Sequence, residues 1–327
     1  MLRVLTLNLQ HGLPGAGAGD GTAASGSLAG ADIRSPALAR TVLAELAGQI
    51  AELEPDVVAL QEVDLGQCRS GRLDQAGVLA QLLGWHHHRF AAAWAGPAAG
   101  LRRRPLRSAL ARPADDVLGP GRALLGRGPA GFGNALLSRH PISTWRIMRL
   151  GRGPASLVRR GHNRVDPRSY RVFTATARNL LAAQLRPGKD VLPGVDVLQL
   201  GVTHLATRGD VAARQLAAAW AALAALPGAH LLTGDFNLPT EKVATLGVGR
   251  LLGDGPTFPA ARPVRRIDHF LTDPWPVDAA GAPLPAAETA GEGSARPRPL
   301  LRAVDCGTRT FIASDHAGTW VDLALTD

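Results

Sequence analysis

Residues 56–63 read DVVALQEV, an apolar run that closes on a carboxylate. Val57, Val58, Ala59 and Leu60 follow one another without a polar break, as in a strand buried on both faces. Glu54-Pro55 stands immediately before it and ends whatever precedes. Upstream, Ser35-Pro36 supplies an N-cap followed by proline at the first helical position, which predicts a helix running to about Leu53. Before that, Leu2–Leu9 is a second short, almost continuously apolar run. Strand, helix, strand in so short a span is a βαβ-like unit, and it places the chain among layered α/β or α+β folds.

Downstream the same signals predict a helix at Asp74–Leu83 and strands near His86–Ala93, Asn134–Ser138 and Ile142–Leu150. Strands are also expected at Tyr170–Arg178, Val195–His204, His230–Asp235, Arg266–Thr272 and Gly318–Leu323. Val211–Leu226 reads as a helix, with Leu216, Trp220 and Leu223 at i, i+4 and i+7 and Pro227-Gly228 as its stop. Residues 12–34, 97–130 and 276–303 are dominated by Gly, Ala, Pro or Arg and show no periodicity. They read as flexible insertions in a single domain spanning 1–327, without internal repeats.

The chain has 327 residues, of which 46% are apolar, enough for a sizeable core and too many for a disordered chain. Cys68 and Cys306 are the only cysteines, so no disulfide framework is available. The N-terminus lacks a basic-then-apolar leader, and no stretch approaches the roughly 20 apolar residues of a membrane span. A cytoplasmic monomer is the expectation. The 36 basic and 27 acidic side chains give a net charge of +9, and 34 of the basic residues are arginine. Residues 97–171 hold 16 arginines and three aspartates, a net of +13, which leaves the rest of the chain at −4. Such a division reads either as a GC-biased solvated segment or as a field that draws an anionic substrate.

Several predicted strands end on groups that an apolar core would not select. Asn8 follows Val4 and Thr6 on one face, and Glu62 follows Val58 and Leu60. His204 shares a face with Leu198, Leu200 and Val202, and Asp235 with Leu231 and Thr233. Asp268 follows Ile267, and Asp315 and His316 follow Phe311-Ile312-Ala313. Each alone reads as a turn or surface residue. Burying a neutral polar group without a partner costs about 2–7 kcal/mol, so a set of this size must pair, bind a cation or line a wet cleft. Carboxylates with an amide oxygen make a hard-oxygen set suited to Mg²⁺ or Mn²⁺. The two histidines add groups for proton transfer. Zinc is disfavoured, because no HExxH or Cys/His spacing occurs. His86-His87-His88 cannot converge on a metal, since neighbouring strand residues face opposite ways.

The ordered series TLNLQHG (6–12), LQEVD (60–64), GNALLSRHPI (133–142), THL (203–205), GDFN (234–237), RIDHF (266–270) and SDH (314–316) resembles the endonuclease/exonuclease/phosphatase (DNase I-like) superfamily. RSGRLDQAGVLAQLLG (69–84) resembles that family's second helix. The resemblance implies a four-layer α/β/β/α sandwich with the site at one end. It implies that Asn8, Glu62 and Asp315 hold the divalent cation, and that Asp235 and Asn237 orient or deprotonate the attacking water. It places His316 on the scissile phosphate, with Asp268 fixing its ring, and His204 on the leaving side. Arg178 resembles a family arginine near the substrate phosphate, though alternation equally makes it a surface strand edge. Asn134 resembles a family asparagine, or is a structural turn group.

The implied activity is metal-dependent hydrolysis of a phosphodiester or phosphomonoester. A nuclease acting on DNA or RNA is a narrower alternative, and a non-catalytic phosphate- or nucleic-acid-binding module a broader one. LQEVD and His204 depart from the abasic-site DNA repair branch, and the cysteines of secreted DNase I are missing.

Overall fold

In the computed structural model, the strand opened by the DVVALQEV run is β2 (Val57–Leu65), lying parallel to β1 (Leu2–Asn8) across the helix α1 (Pro36–Glu52). Pro36 occupies the first turn of α1 behind an extended Ser35, and Ala39, Val42, Leu43, Leu46 and Ile50 form its buried stripe. The following helix α2 (Gln75–Leu83) is capped by Asp74, whose side chain accepts the Gly77 N–H, and closed by a left-handed Gly84. The structure describes residues 1–15, 28, 30–106, 113–159, 170–173, 176–275 and 300–325. Most of the predicted insertions at 12–34 and 276–303 lies outside the described residues. The described part of 97–130 carries the short helix α3 (Gly119–Leu124).

The remaining elements are β3 (His87–Ala95), β4 (Gly131–Ser138), β5 (Ile142–Gly151), β6 (Ser156–Arg159), β7 (Tyr170–Phe173), β8 (Arg178–Leu185), β9 (Leu198–His204), α4 (Gly209–Ala224), β10 (Ala229–Asp235), α5 (Thr240–Thr245), β11 (Arg250–Leu252), β12 (Asp268–Thr272), β13 (Leu301–Arg309) and β14 (Gly318–Leu325). They build two six-stranded sheets, ordered β13-β14-β1-β2-β4-β3 and β11-β12-β10-β9-β8-β5. Each sheet has one parallel pair at its centre, β1/β2 and β9/β10, joined by a helical crossover, and is otherwise antiparallel.

Three apolar layers hold this together. Leu2, Val4, Leu181, Leu200, Leu231 and Phe270 lie among the residues packed between the sheets. Leu43, Leu46 and Leu79 bury the outer face of the first sheet under α1 and α2. Leu216, Trp220 and Leu223 do the same for the second sheet under α4. The result is helix, sheet, sheet, helix. No helix among the described residues is long and apolar enough to cross a membrane.

The structure corrects the sequence reading of the strands. Tyr170–Arg178 is not one strand: Tyr170–Phe173 pairs with β6 in a separate two-stranded ribbon, and a new strand begins at Arg178. That strand, β8, lies inside the second sheet, between β9 and β5. The predicted insertion ending at 303 overlaps β13, an edge strand that begins at Leu301.

Candidate active site

Asn8 ends β1, His204 ends β9 and Asp235 ends β10, while Glu62 lies three residues before the end of β2. Because the central pair of each sheet is parallel, these ends gather at one end of the sandwich. Asn8 Nδ2 donates to Asp235 Oδ2 at 3.0 Å, a bond that ties one sheet to the other. Asp235 stands in register with His204 on one side and with Asp268 on the other. His204 Nε2 lies 3.3 Å from Asp235 Oδ2. The loop before β14 completes the cluster: His316 Nδ1 bonds Asp268 Oδ2 at 2.8 Å, and its Nε2 lies 4.0 Å from Asp235 Oδ2 and 3.9 Å from Asp315 Oδ1.

Glu62 reaches the cluster by breaking alternation. Val58 and Leu60, with which it should share a face, point to the helices. A bulge between Leu60 and Val63 shifts the β2/β4 register, and Glu62 adopts a positive φ of 54°. Its carboxylate comes within 3.8 Å of His204 Nδ1, on the second sheet. Val63 and Leu65 then resume the helix-facing side.

Other backbone around the site is similarly unusual. Asn237 has φ 52°, Ser314 has φ 128°, and Gln10, just past β1, has φ 46°. Left-handed backbone at a non-glycine residue costs about 1–3 kcal/mol and persists only where surroundings enforce it. Here they do: the Asn237 N–H bonds Asp235 Oδ1 at 2.9 Å and its Nδ2 bonds the Leu205 carbonyl at 3.1 Å. The Ser314 hydroxyl donates to the Asn8 carbonyl and accepts the His316 N–H. Gly234 is required for a different reason, since a Cβ there would meet the Thr203 carbonyl oxygen at 2.0 Å.

Electrostatics separate the titrating groups. Asp235 is raised to about 7, by burial first and by the neighbouring Asp268 charge second. His316 is raised to about 9: burial opposes its charge, but Asp268, through charge and hydrogen bond, outweighs it, with Asp235 adding. His204 is held well below its ordinary value by burial and then by the positive charges of Arg178 and His316. At neutral pH one imidazole is therefore charged and the other neutral. Glu62 is raised by burial, with Arg178 opposing and Asp315 reinforcing.

Two groupings could hold a cation. Ligand atoms of Asp235, Asp268 and His316 lie within 4.8 Å of one another. Their capacity is partly used, however, because Asp235 already accepts from Asn8 and Asn237, and Asp268 Oδ2 is bonded to the ring of His316. Glu62 differs. No group hydrogen-bonds its carboxylate among the described residues, its side chain is 27% exposed, and the charge of Asp315 bears on it. With the Asn8 side-chain oxygen Oδ1, which accepts the Gln10 N–H, these are hard oxygen donors gathered at one point. The donor chemistry fits Mg²⁺ or Mn²⁺.

Arg178, the first residue of β8, has a buried Nε without a hydrogen-bond partner among the described residues, and its charge acts on Asp235 and Glu62. It faces the site rather than solvent at a strand edge. Asn134 is buried one layer behind: its amide donates to Asn179, and Asn179 Nδ2 donates to the Ala91 carbonyl. Sequence reasoning overlooked Asn179, Ser314 and Thr257, which fix this backbone. Thr257 Oγ1 accepts the Ile267 and Asp268 N–H groups. Ser314 and Asn179 each stand beside a residue that the sequence did single out, and Thr257 carries no local signal.

The model of the Endonuclease/Exonuclease/phosphatase family matches residues 5–316. Among solved structures, an endonuclease/exonuclease/phosphatase from Beutenbergia cavernae is similar at 21% identity, over 99% of this chain and 71% of that one, with a TM-score of 0.51. A protein of the same description from Bacteroides vulgatus matches over 99% of both chains at 14% identity and a TM-score of 0.56. Another, from Bacteroides thetaiotaomicron, matches at 12% identity over 100% of this chain and 95% of that one, with a TM-score of 0.51. No curated protein matches. A family match running from β1 to the His316 loop takes in strands of both sheets and every residue of the cluster, and the chain belongs to the endonuclease/exonuclease/phosphatase family.

Proposed function

We propose that the chain is a divalent-metal-dependent phosphoester hydrolase in which water attacks phosphorus in line. The observation that carries this reading is Asp235, a buried carboxylate with one oxygen fixed by the Asn237 N–H and the other by Asn8 Nδ2, set between a charged and a neutral imidazole. Asp235 orients the water and takes its proton, a role suited to a group balanced near neutrality. His316, its Nδ1 bonded to Asp268, presents Nε2–H to a phosphoryl oxygen. His204, being neutral, stabilises the leaving oxygen by hydrogen bonding rather than as a cation. Asn237 and Arg178 add fixed donors toward the phosphate. Glu62, Asn8 and Asp315 hold the Mg²⁺ or Mn²⁺, which when bound neutralises charge developing on the phosphoryl oxygens.

A nuclease is a narrower form of the same reading, favoured by the net +13 of residues 97–171, and it predicts steep salt dependence. The reading as a monomeric cytoplasmic enzyme stays part of the proposal. A panel of plasmid DNA, RNA, bis(p-nitrophenyl) phosphate, sphingomyelin and inositol phosphates, each with Mg²⁺, Mn²⁺ or chelator, tests it. Metal-dependent turnover of at least one is expected. Turnover of none would favour a non-catalytic phosphate-binding module.

A further inference from the structure

Arg178 belongs to two places at once. One side of it bears on Asp235 and Glu62, and the other lines a separate cavity of about 520 Å³. Five more arginines line that cavity, Arg102, Arg103, Arg104, Arg149 and Arg152, and among the described residues no acidic side chain does. They come from distant parts of the chain: the segment after β3, the end of β5 and the residue that follows it, and the start of β8. Six like charges around one concavity repel one another unless an anion sits among them.

Two of these arginines keep a buried donor that no described group takes. Arg103 donates Nη1 to the Arg104 carbonyl, but its Nη2 is buried without a hydrogen-bond partner among the described residues, as is Arg178 Nε. Arg149 donates to the Pro105 carbonyl, and Arg102 to the Ala98 carbonyl. Arg102 also lies 4.4 Å over the ring of Trp94. Trp94 also stacks on Phe132 at 5.4 Å between centroids, and it is only 6% exposed. The cavity thus offers guanidinium donors in number and no open aromatic face on which a base could stack. Its volume falls within the range of small-molecule sites.

We propose that this cavity holds a second, non-scissile phosphate group, and that the substrate is a compact small molecule carrying at least two phosphates. The proposal rests on the hydrolase reading above, with Arg178 as the shared wall between the two sites. Guanidinium forks match phosphate oxygens two at a time, and convergent arginines select for charge density more than for the scaffold that carries it.

The test uses the full chain and inorganic tripolyphosphate, titrated calorimetrically without divalent metal. One-to-one binding is expected, and in the Arg103→Gln/Arg152→Gln double variant it should weaken about tenfold or more. Arg127→Gln/Arg146→Gln, which removes two exposed arginines of the same basic segment outside the cavity, should stay within about twofold. Equal weakening in both variants, or no binding by the wild type, overturns the proposal. So does a single-stranded oligonucleotide whose binding is lost in the cavity variant and which tripolyphosphate does not displace, because that marks a nucleic-acid groove. Bis(p-nitrophenyl) phosphate has one phosphate only, so its kcat and KM should be the same in the cavity variant as in the wild type. If tripolyphosphate binds but no phosphoester of the panel is turned over, the hydrolase reading fails and the cavity stands. Intact turnover without tripolyphosphate binding sinks the cavity proposal alone.

Discussion

Asp235 and His316 are buried polar residues whose bonds make sense only together. Asp235 takes two donors from the protein and lies beside a second carboxylate, and His316 is charged because Asp268 compensates it. A positioned acid or base contributes about 10²–10⁴-fold, so Asp235→Ala and His316→Ala should each lose about that much kcat on any phosphoester the parent cleaves. Full activity in either would remove the residue from the mechanism. Glu62 supplies a complementary case, because its positive φ is a conformation that glycine adopts freely. Glu62→Gly should therefore abolish activity while leaving stability unchanged or raising it by up to about 1 kcal/mol, as read from denaturant midpoints. A marked loss of stability would show that the bulge depends on the carboxylate. Asn8, His204, Asp235, Asp268 and the Asp315-His316 pair were legible in the sequence because polar side chains ended apolar runs. The face of Glu62 was not, because a bulge changes parity without leaving any mark in composition.

Among the elements, β1 and β2 are held at their starting ends by one residue. Asp56 accepts the Arg3 N–H at 2.9 Å and bonds His140 Nε2 at 3.2 Å, while its backbone N–H and carbonyl engage Arg3 and Arg139. Burial opposes the charge of Asp56, but the His140 and Arg3 bonds outweigh it and hold its carboxyl below the usual carboxylate range. A depressed folded value stabilises the protein above the unfolded pKa, near 4, and that contribution fades as pH falls through the folded one. Asp56→Asn should cost about 1–2 kcal/mol at pH 7 and distinctly less at pH 3, measured by urea unfolding at both. An equal loss at the two pH values would assign the effect to shape rather than charge. Elements with strong punctuation, such as α1 behind Ser35-Pro36 and α2 before Gly84, were readable from sequence. β8 was missed because NLLAAQL is rich in helix formers and its Arg178-Asn179 start looks like surface; placement between β9 and β5 overrides that preference. β13 was missed because its one partner is β14 and its side chains are largely solvated, so no apolar alternation betrays it.

For the molecule as a whole, the candidate site is a seam between two sheets whose cores are otherwise apolar. Glu62 and Asp315 add like charge at that seam, and a cation bound there stabilises only the assembled sandwich. Mg²⁺ or Mn²⁺ should raise the Tm by a few degrees, chelator should reverse the rise, and Glu62→Gln should lose it, all read by calorimetry. A rise of the same size in Glu62→Gln would move the cation elsewhere. The family architecture was legible because its motifs are spread over both sheets, whereas the arginine cavity was visible only as charge: concavity is a property of folding, and its members stand up to 76 residues apart. The order of strands has a temporal meaning as well. The second sheet is built from one continuous stretch, β5 to β12, but β1 in the first sheet waits for β14 to cover its free edge. The loop that delivers β14 also delivers Asp315 and His316. Synthesis thus covers the first strand's edge and completes the candidate cluster in one late event, so a chain caught before that event exposes an unpaired edge and lacks Asp315 and His316 together.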